Sequence, residues 1–256
     1  MIVPAFAVER TSRISSTILT NTVAVLVRHD GDIVLVDAGW SEAACDAPYR
    51  EIGFTRAKFL GVSVKPEDSI ARQLEARGFA RDKVSAVIAT HLHFDHIGGV
   101  CDFPNAELVV TSNELAAFRK WPRDSGYRLR DLPIGDRISA VELRDGPFGA
   151  WDESLDIFDD GSVILLDSKG HTPGLLAVHI THKNQRYLHA GDAVYKRWEL
   201  NETNGGPATI SRFTRWNDRE LRASYARLRS LAGTTIVPSH DADALAEVAH
   251  LDGLNT

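Results

Sequence analysis

Apolar positions in the first part of the chain fall into runs of two different spacings. Residues 22–28 (Thr-Val-Ala-Val-Leu-Val-Arg) and 33–37 (Ile-Val-Leu-Val-Asp) are short, β-branched and apolar, and His29-Asp30-Gly31-Asp32 between them carries the Asp-Gly signature of a hairpin. Two paired strands are predicted. Residues 67–78 change to helical spacing, with Ile70, Leu74 and Phe79 in phase and Gly78 near the end. Residues 40–66 are mixed and aromatic with no clean period, which reads as a long loop, and such loops in compact domains are more often functional than not.

The stretch Val84-Ser85-Ala86-Val87-Ile88-Ala89-Thr90 predicts a buried strand that runs directly into a cluster of histidines. A short strand (108–110), a polar helix (113–120) and a loop-rich stretch (121–150) follow. Four further strands are predicted at 154–158, 162–167, 175–181 and 186–190, the last ending at Gly191-Asp192. A helix at 217–231 carries Leu221, Tyr225, Leu228 and Leu231 on one face, and a last strand, Thr235-Ile236-Val237-Pro238, delivers Ser239-His240-Asp241. Strands in runs with helices interspersed point to an α/β protein with two sheets rather than a regular βαβ wind. The sequence holds no Pro/Ser linker, low-complexity tract or short repeat, so a single domain over residues 1–256 is expected.

Composition narrows the class without identifying it. Apolar content of 43% and charged content of 25% are those of an ordinary globular protein. A formal net charge of -6 argues against a nucleic-acid partner, which leaves a basic footprint, and gives no attraction to an anionic membrane. Cys45 and Cys101 form no CxxC pattern and read as two free, buried thiols rather than a disulfide framework. The first ten residues lack a basic start followed by an apolar stretch, and no apolar run nears the roughly 20 residues that span a bilayer. A soluble, unprocessed, cytoplasmic chain is therefore expected.

The candidate chemistry is concentrated in Thr90-His91-Leu92-His93-Phe94-Asp95-His96-Ile97-Gly98-Gly99. His91 and His93 are two apart after a strand, so on extended backbone their side chains point the same way. Asp95 and His96 follow at once, where a tight turn can direct them to a second point nearby. Any one histidine is ordinarily a satisfied polar residue, but four potential ligands in six residues are poorly explained by chance. Three more candidates stand at strand ends beside Gly or Pro: His171 in Gly170-His171-Thr172-Pro173-Gly174, Asp192 in His189-Ala190-Gly191-Asp192, and His240 after Pro238-Ser239. Imidazole and carboxylate are ligands for divalent transition metals, and a catalytic site keeps one position open for water.

HxHxDH followed by a distant His, Asp and His resembles the signature of the metallo-β-lactamase-fold hydrolases, and the resemblance runs from about Val23 to Asp241. Val36-Asp37-Ala38-Gly39 is similar to that family's early Asp-x-Gly element. The resemblance implies a four-layer αββα sandwich. Residue by residue, it implies that His91, His93 and His171 hold a first metal, that Asp95, His96 and His240 hold a second, and that Asp192 bridges them. Asp37 would orient a ligand histidine. Two divalent ions are implied, zinc being usual, with iron, manganese or cobalt also able to occupy such sites. Ions about 3.5–4 Å apart can share a hydroxide, because metal binding lowers the pKa of water to ~7. Hydrolysis follows as the reaction class, with Asp95 relaying a proton to the leaving oxygen. His29, His179, His182, His189 and His250 match no family position and read as structural or solvent-facing.

Gly191-Asp192-Ala193-Val194-Tyr195 resembles the N-acyl homoserine lactonases of this fold, whose tyrosine three residues after the bridging aspartate meets the lactone carbonyl. A core tyrosine with its hydroxyl on backbone is the alternative for Tyr195. Trp40, Tyr49, Phe54, Phe59 and Leu60 of the 40–66 stretch, with Trp198, Phe213 and Trp216, could wall a pocket for an acyl tail, although ordinary packing explains any one of them. The resemblance implies a lactonase acting on ester bonds, a quorum-quenching activity, with Asp95 and Tyr195 catalytic. Its partner would be a small-molecule acyl lactone; a homodimer is compatible with it. A glyoxalase II-like thioesterase, another ester or phosphotriester hydrolase, and a metal-stabilised binding or sensor protein are the alternatives.

Overall fold

Period-2 alternation along short strands organises the molecule, a computed structural model that describes residues 2–4, 16–18, 21–27, 31–59, 62–121, 126–133, 136–201 and 206–248. A short antiparallel pair, β1 (Ile2–Pro4) and β2 (Ser16–Ile18), precedes two five-stranded sheets. The first sheet runs, in spatial order, β3 (Ala24–Val27), β4 (Ile33–Val36), β5 (Val84–Ile88), β6 (Glu107–Thr111) and β7 (Ile138–Val141). The second runs β8 (Ser154–Asp156), β9 (Val163–Asp167), β10 (Leu176–His182), β11 (Gln185–His189) and β12 (Thr235–Val237).

β3 and β4 pair antiparallel, with Ala24 opposite Val36, as the hairpin pattern predicts; the turn residues 28–30 lie outside the described residues. β4 to β7 are mutually parallel, which requires long crossovers. Helix Ile70–Ala76 makes the crossover into β5, its Ser69 hydroxyl accepting from the Arg72 N–H. Helix Ser112–Lys120 makes the crossover into β7. In the second sheet β8 to β11 are antiparallel and β12 joins β11 in parallel, after the long helix Asp218–Ser230.

Side chains sort into layers accordingly. Val34, Val36, Ile88 and Val109 of the first sheet meet Val163, Leu165, Leu176 and Val178 of the second in a core between the sheets. Their neighbours Ile33, Leu35, Val84 and Val87 face outward onto Ala71, Leu74, Leu115 and Phe118 of the crossover helices. Leu166, Ala177 and Leu188 face the opposite way, onto Leu221, Tyr225 and Leu228. The result is the expected α/β architecture, a four-layer αββα sandwich.

Several expectations need correction. Residues 40–66 are not one long loop: they hold the helices Glu42–Asp46, Pro48–Ile52 and Phe54–Phe59. Each is five or six residues long, too short to show a period, and Pro48 and Gly53 punctuate them. Within the 121–150 stretch lies β7, a half-exposed edge strand whose alternation is weak. Helices Thr209–Thr214 and Ala242–Val248 also escaped the sequence pattern. Both cysteines are free, but only Cys45 is buried; Cys101 is exposed. Among the described residues no helix is long and apolar enough to cross a membrane.

Candidate metal centre

Strand ends deliver all seven candidate donors to one rim of the sandwich. Beyond β5 the backbone stays paired through Ala89, whose N–H donates to Val109 O, then bends at Thr90 and leads through His91 and Leu92 to His93. His93 occupies the N-cap of the one-turn helix Phe94–Ile97, which turns Asp95 and His96 back beside it. His171 sits between β9 and β10, tied down by the Trp216 N–H on its carbonyl at 2.9 Å. Asp192 lies in a 3-10 turn after β11, where Gly191 has φ +53° and a Cβ would stand 2.9 Å from Thr90 Cβ. A glycine there lets Asp192 approach the histidine segment. His240 follows β12, and the Ser239 N–H donates to Gly191 O, joining the last two donors.

The side chains converge into three overlapping groups whose ligand atoms lie within 4.8 Å of one another: His91, His93 and His171; His91, His96 and Asp192; and Asp95, His96 and His240. Asp192 stands at the centre. Its Oδ1 lies 3.1 Å from His240 Nε2 and 3.3 Å from His96 Nε2, while its Oδ2 lies 3.5 Å from His171 Nε2. Asp95 Oδ2 is 3.8 Å from His96 Nε2 and 3.9 Å from His240 Nε2. His171 Nε2 and His93 Nδ1 are 3.1 Å apart. All seven side chains are buried except that of His93, which is half-buried. The seven expected donors thus lie together, with Asp192 between two sets of imidazoles.

Asp37, Asn21 and Glu114 hold the donor segments in place, and Glu199 holds the segment that follows Asp192. Asp37 sits at φ +60°, a conformation costly for most non-glycine residues, and its carboxylate is tied down by the Thr90 N–H (2.8 Å) and hydroxyl (2.9 Å). Its Oδ2 meets His96 Nδ1 at 2.8 Å, so the other ring nitrogen, Nε2, faces Asp192. Asn21, Glu114 and Glu199 were not recognised in the sequence. Asn21 Nδ2 donates to the Asp95 carbonyl (2.8 Å) and to Asp95 Oδ2 (3.3 Å), and its own Oδ1 accepts from the Trp40 indole. Glu199 accepts from the backbone N–H groups of Tyr195, Lys196 and Ala208, the Ser211 hydroxyl and the Tyr225 hydroxyl. A lone glutamate inside a helical or loop pattern carries no sequence signal of such a role; only its burial reveals it.

The electrostatics favour a cation among the donors. Burial alone would raise the carboxyls of Asp192 and Asp95, yet the histidines around them outweigh it, and Asp192 falls well below the usual range while Asp95 is lowered. Burial would lower His96, but Asp192, Asp37 and Asp95 raise it well above an ordinary imidazole. His91 is held well below its ordinary value by burial and by His96 and His93, and burial pushes His171 down to about 3. The lowered imidazoles of His91 and His171 and the ionised carboxylates are in the states that metal ligation requires, whereas His96, raised, has to give up a proton before it can ligate. His91 Nε2, His96 Nε2, His171 Nδ1 and Asp192 Oδ1 are buried without a hydrogen-bond partner. Buried polar atoms are rarely left so, and the donor set is that of divalent transition metals. The residues therefore fit a metal centre.

Tyr195 stacks on His240 with ring centroids 5.0 Å apart and its hydroxyl lies 3.3 Å from Thr214 Oγ1. Among the described residues the hydroxyl thus meets a side chain rather than backbone. Burial and the charge of Asp192 raise it well above its ordinary pKa. The aromatic residues of the 40–66 stretch divide: Trp40 is buried edge-on against Phe94, whereas Tyr49 and Phe54 are exposed. Trp216 is also exposed, and Trp198 is half-buried. The side chains of Phe59 and Phe213, and Leu60, lie outside the described residues, as do His29 and His250. His179 and His189 are buried, and His182 is exposed.

The fold and site can now be set beside known proteins. Residues 18–240 match the family described as the metallo-beta-lactamase superfamily. A probable metallo-hydrolase of Mycobacterium bovis, Mb2322c, is 32% identical over 238 residues, covering 88% of this chain and 73% of the relative. The N-acyl homoserine lactonase AttM of Rhizobium radiobacter is 27% identical over 230 residues, covering 86% of this chain and 82% of the relative. A solved N-acyl homoserine lactone hydrolase, with N-hexanoyl-L-homoserine bound at its catalytic metal centre, superposes with a TM-score of 0.72 at 20% identity. That match covers 96% of this chain and 91% of the solved one, and it shows a shared fold.

Proposed function

Because this chain belongs to the metallo-beta-lactamase superfamily, we propose that it is a dinuclear metal-dependent lactonase that hydrolyses N-acyl homoserine lactones or related lactones. The observation that carries this reading is Tyr195, whose ring stacks on His240 and whose hydroxyl reaches the rim of a seven-donor cluster. AttM, a lactonase in name and similar over most of this chain, supports it.

His91, His93 and His171 would hold one ion, Asp95, His96 and His240 the other, and Asp192 would serve both. Zinc suits this donor set. When bound, the ions supply a nucleophile from water at neutral pH and positive charge against a developing oxyanion. The remaining steps fall to side chains. Tyr195, kept protonated by its raised pKa, donates a hydrogen bond to the lactone carbonyl oxygen. Asp95, held by Asn21 and ionised, takes the proton that the attacking water loses and passes it to the ring oxygen as the carbonyl carbon–oxygen bond of the ring breaks. One water is consumed, and the product is the open-chain hydroxy acid, released as its carboxylate.

Purified protein is expected to contain two divalent ions per chain and to release acid from acyl homoserine lactones in a pH-indicator assay. The same assay run on simple γ- and δ-lactones, glutathione thioesters and β-lactams decides the substrate class. A preference for thioesters would replace the lactonase reading with a glyoxalase-like one. No hydrolysis of any of them by the metal-replete protein would favour a binding or sensor role.

A further inference from the structure

Glu114 lies in the first turn of helix Ser112–Lys120, fully buried among apolar side chains that include Leu115, Phe118 and Tyr127. Its Oε1 accepts from the Leu92 N–H (3.0 Å) and the Tyr127 hydroxyl (3.0 Å), and its Oε2 accepts from the Gly174 N–H (3.1 Å). These three partners belong to three separate segments of the site. Leu92 is the residue between His91 and His93. Gly174 closes the loop that carries His171. The Tyr127 ring stands 5.2 Å from that of His93, and the adjacent Gly126 is so close that a Cβ there would lie 2.1 Å from His93 Cδ2. At Gly174 a Cβ would lie 2.2 Å from Glu114 N, and Thr111 Oγ1 both donates to Gly174 O (2.8 Å) and accepts from Glu114 N (3.1 Å). One carboxylate therefore ties together the three segments that carry His91, His93 and His171.

The other half of the cluster is held by other side chains, of which Asp37 also reaches His91 through Thr90, whose hydroxyl lies 3.1 Å from His91 Nδ1. His96 is oriented by Asp37, and Asp95 by Asn21. Neither contact involves Glu114.

We propose that Glu114 is the positioning residue of the His91, His93 and His171 half of the metal centre, setting the aim of those imidazoles without touching an ion, so that its loss weakens one of two bound ions selectively. The proposal rests on the dinuclear reading above. A carboxylate is required because both oxygens accept. In Glu114→Gln one oxygen can still serve Leu92 and Tyr127, but the amide NH2 then faces the Gly174 N–H, donor against donor, and the His171 loop is released.

The test is zinc titration of chelator-stripped protein against a chromophoric competitor, with far-UV circular dichroism of each variant. Wild type should bind two ions. Glu114→Gln should bind one as wild type does and the other about 10-fold or more weakly, the range seen when a partner of a ligating histidine is lost. Asn21→Ala, which frees Asp95, should weaken the other ion, and its combination with Glu114→Gln should weaken both. Retention of two wild-type ions by Glu114→Gln, or equal weakening of both, overturns the proposal, the latter because it signals a merely structural role. If Glu114→Gln does not fold, Tyr127→Phe decides: it removes one donor to Glu114 and should weaken the same single ion. A wild type that binds only one ion refutes the dinuclear reading instead. In that case a 10-fold loss for that ion in Glu114→Gln still supports the proposal, and no loss overturns it.

Discussion

Tyr195 and Asp192 share one turn, yet they face the substrate chemistry differently. Asp192 is surrounded by three imidazole nitrogens within 3.5 Å and belongs to the donor set. Tyr195 lies against His240 and leaves the donor set intact when its hydroxyl is removed. Tyr195→Phe is therefore expected to keep both ions and the fold while slowing lactone opening about 100-fold, the scale for loss of one hydrogen-bond donor to an oxyanion. Because that bond strengthens as charge develops, kcat and kcat/KM should fall together, with KM nearly unchanged. Steady-state kinetics with metal analysis of the same sample check this; an unchanged kcat would remove Tyr195 from the mechanism. At this scale the donors were legible in the sequence, because HxHxDH is dense and its distant partners end apolar runs. Glu114 and Asn21 were not, since their roles depend on contacts 13 to 74 residues away in the chain, and neither was Glu199, which gathers partners from 3 to 26 residues away.

Short elements at the strand ends hold the centre by backbone contacts that leave no room for side chains. The N–H groups of Ala38 and Gly39 both donate to His96 O, at 2.7 and 2.9 Å, and the Gly99 N–H donates to Gly39 O at 2.9 Å. A Cβ on Gly99 would stand 2.3 Å from Ala38 O and 3.3 Å from Trp40 O. Neither obstacle is a movable side chain. Gly99→Ala should push segments 37–40 and 96–99 apart, destabilising the protein by about 3 kcal/mol, the upper end of overpacking costs. Thermal melting should show a fall in midpoint of roughly 5–10 °C for a chain of this size. The variant should also bind metal more weakly, because Asp37 and His96 lie on the two segments; an unchanged midpoint would show that the backbones can part without cost. The long strands and helices were visible as periods in the sequence, whereas helices of five or six residues and the edge strand β7 were too short to show one.

Across the whole molecule, two sheets bring a cluster of histidines to one rim, and this couples stability to pH in the metal-free protein. His171 is pushed down to about 3, and His91 and His189 are lowered as well, all chiefly by burial. Below the unfolded histidine pKa of about 6.5 the unfolded chain takes up protons that these folded side chains refuse. Each such histidine therefore costs stability, by about 1.4 kcal/mol per pH unit, as pH falls from 6.5 toward its folded value. His96, raised in the fold, contributes stability that is already complete below about 6.5, and Asp95 and Asp192, lowered, keep theirs down to about 4. Between these limits the depressed histidines set the direction. Chelator-stripped protein should unfold at lower urea concentration at pH 5 than at pH 7, and an equal or higher midpoint at pH 5 would contradict this account.

By itself the sequence determined the α/β class, the two sheets and the family, and it marked seven candidate donors, because strand periodicity and a dense ligand motif are local properties of the chain. Only the tertiary structure decided which donors face which. Asp192 lies between two sets of imidazoles because β11 and β12 pair in parallel beside the end of β5, and no spacing in the chain encodes that adjacency. It also decided what holds them: Glu114 for one half and Asp37 with Asn21 for the other. A buried carboxylate is recognisable only when the apolar layer that surrounds it, and the distant N–H groups that it must satisfy, are in place.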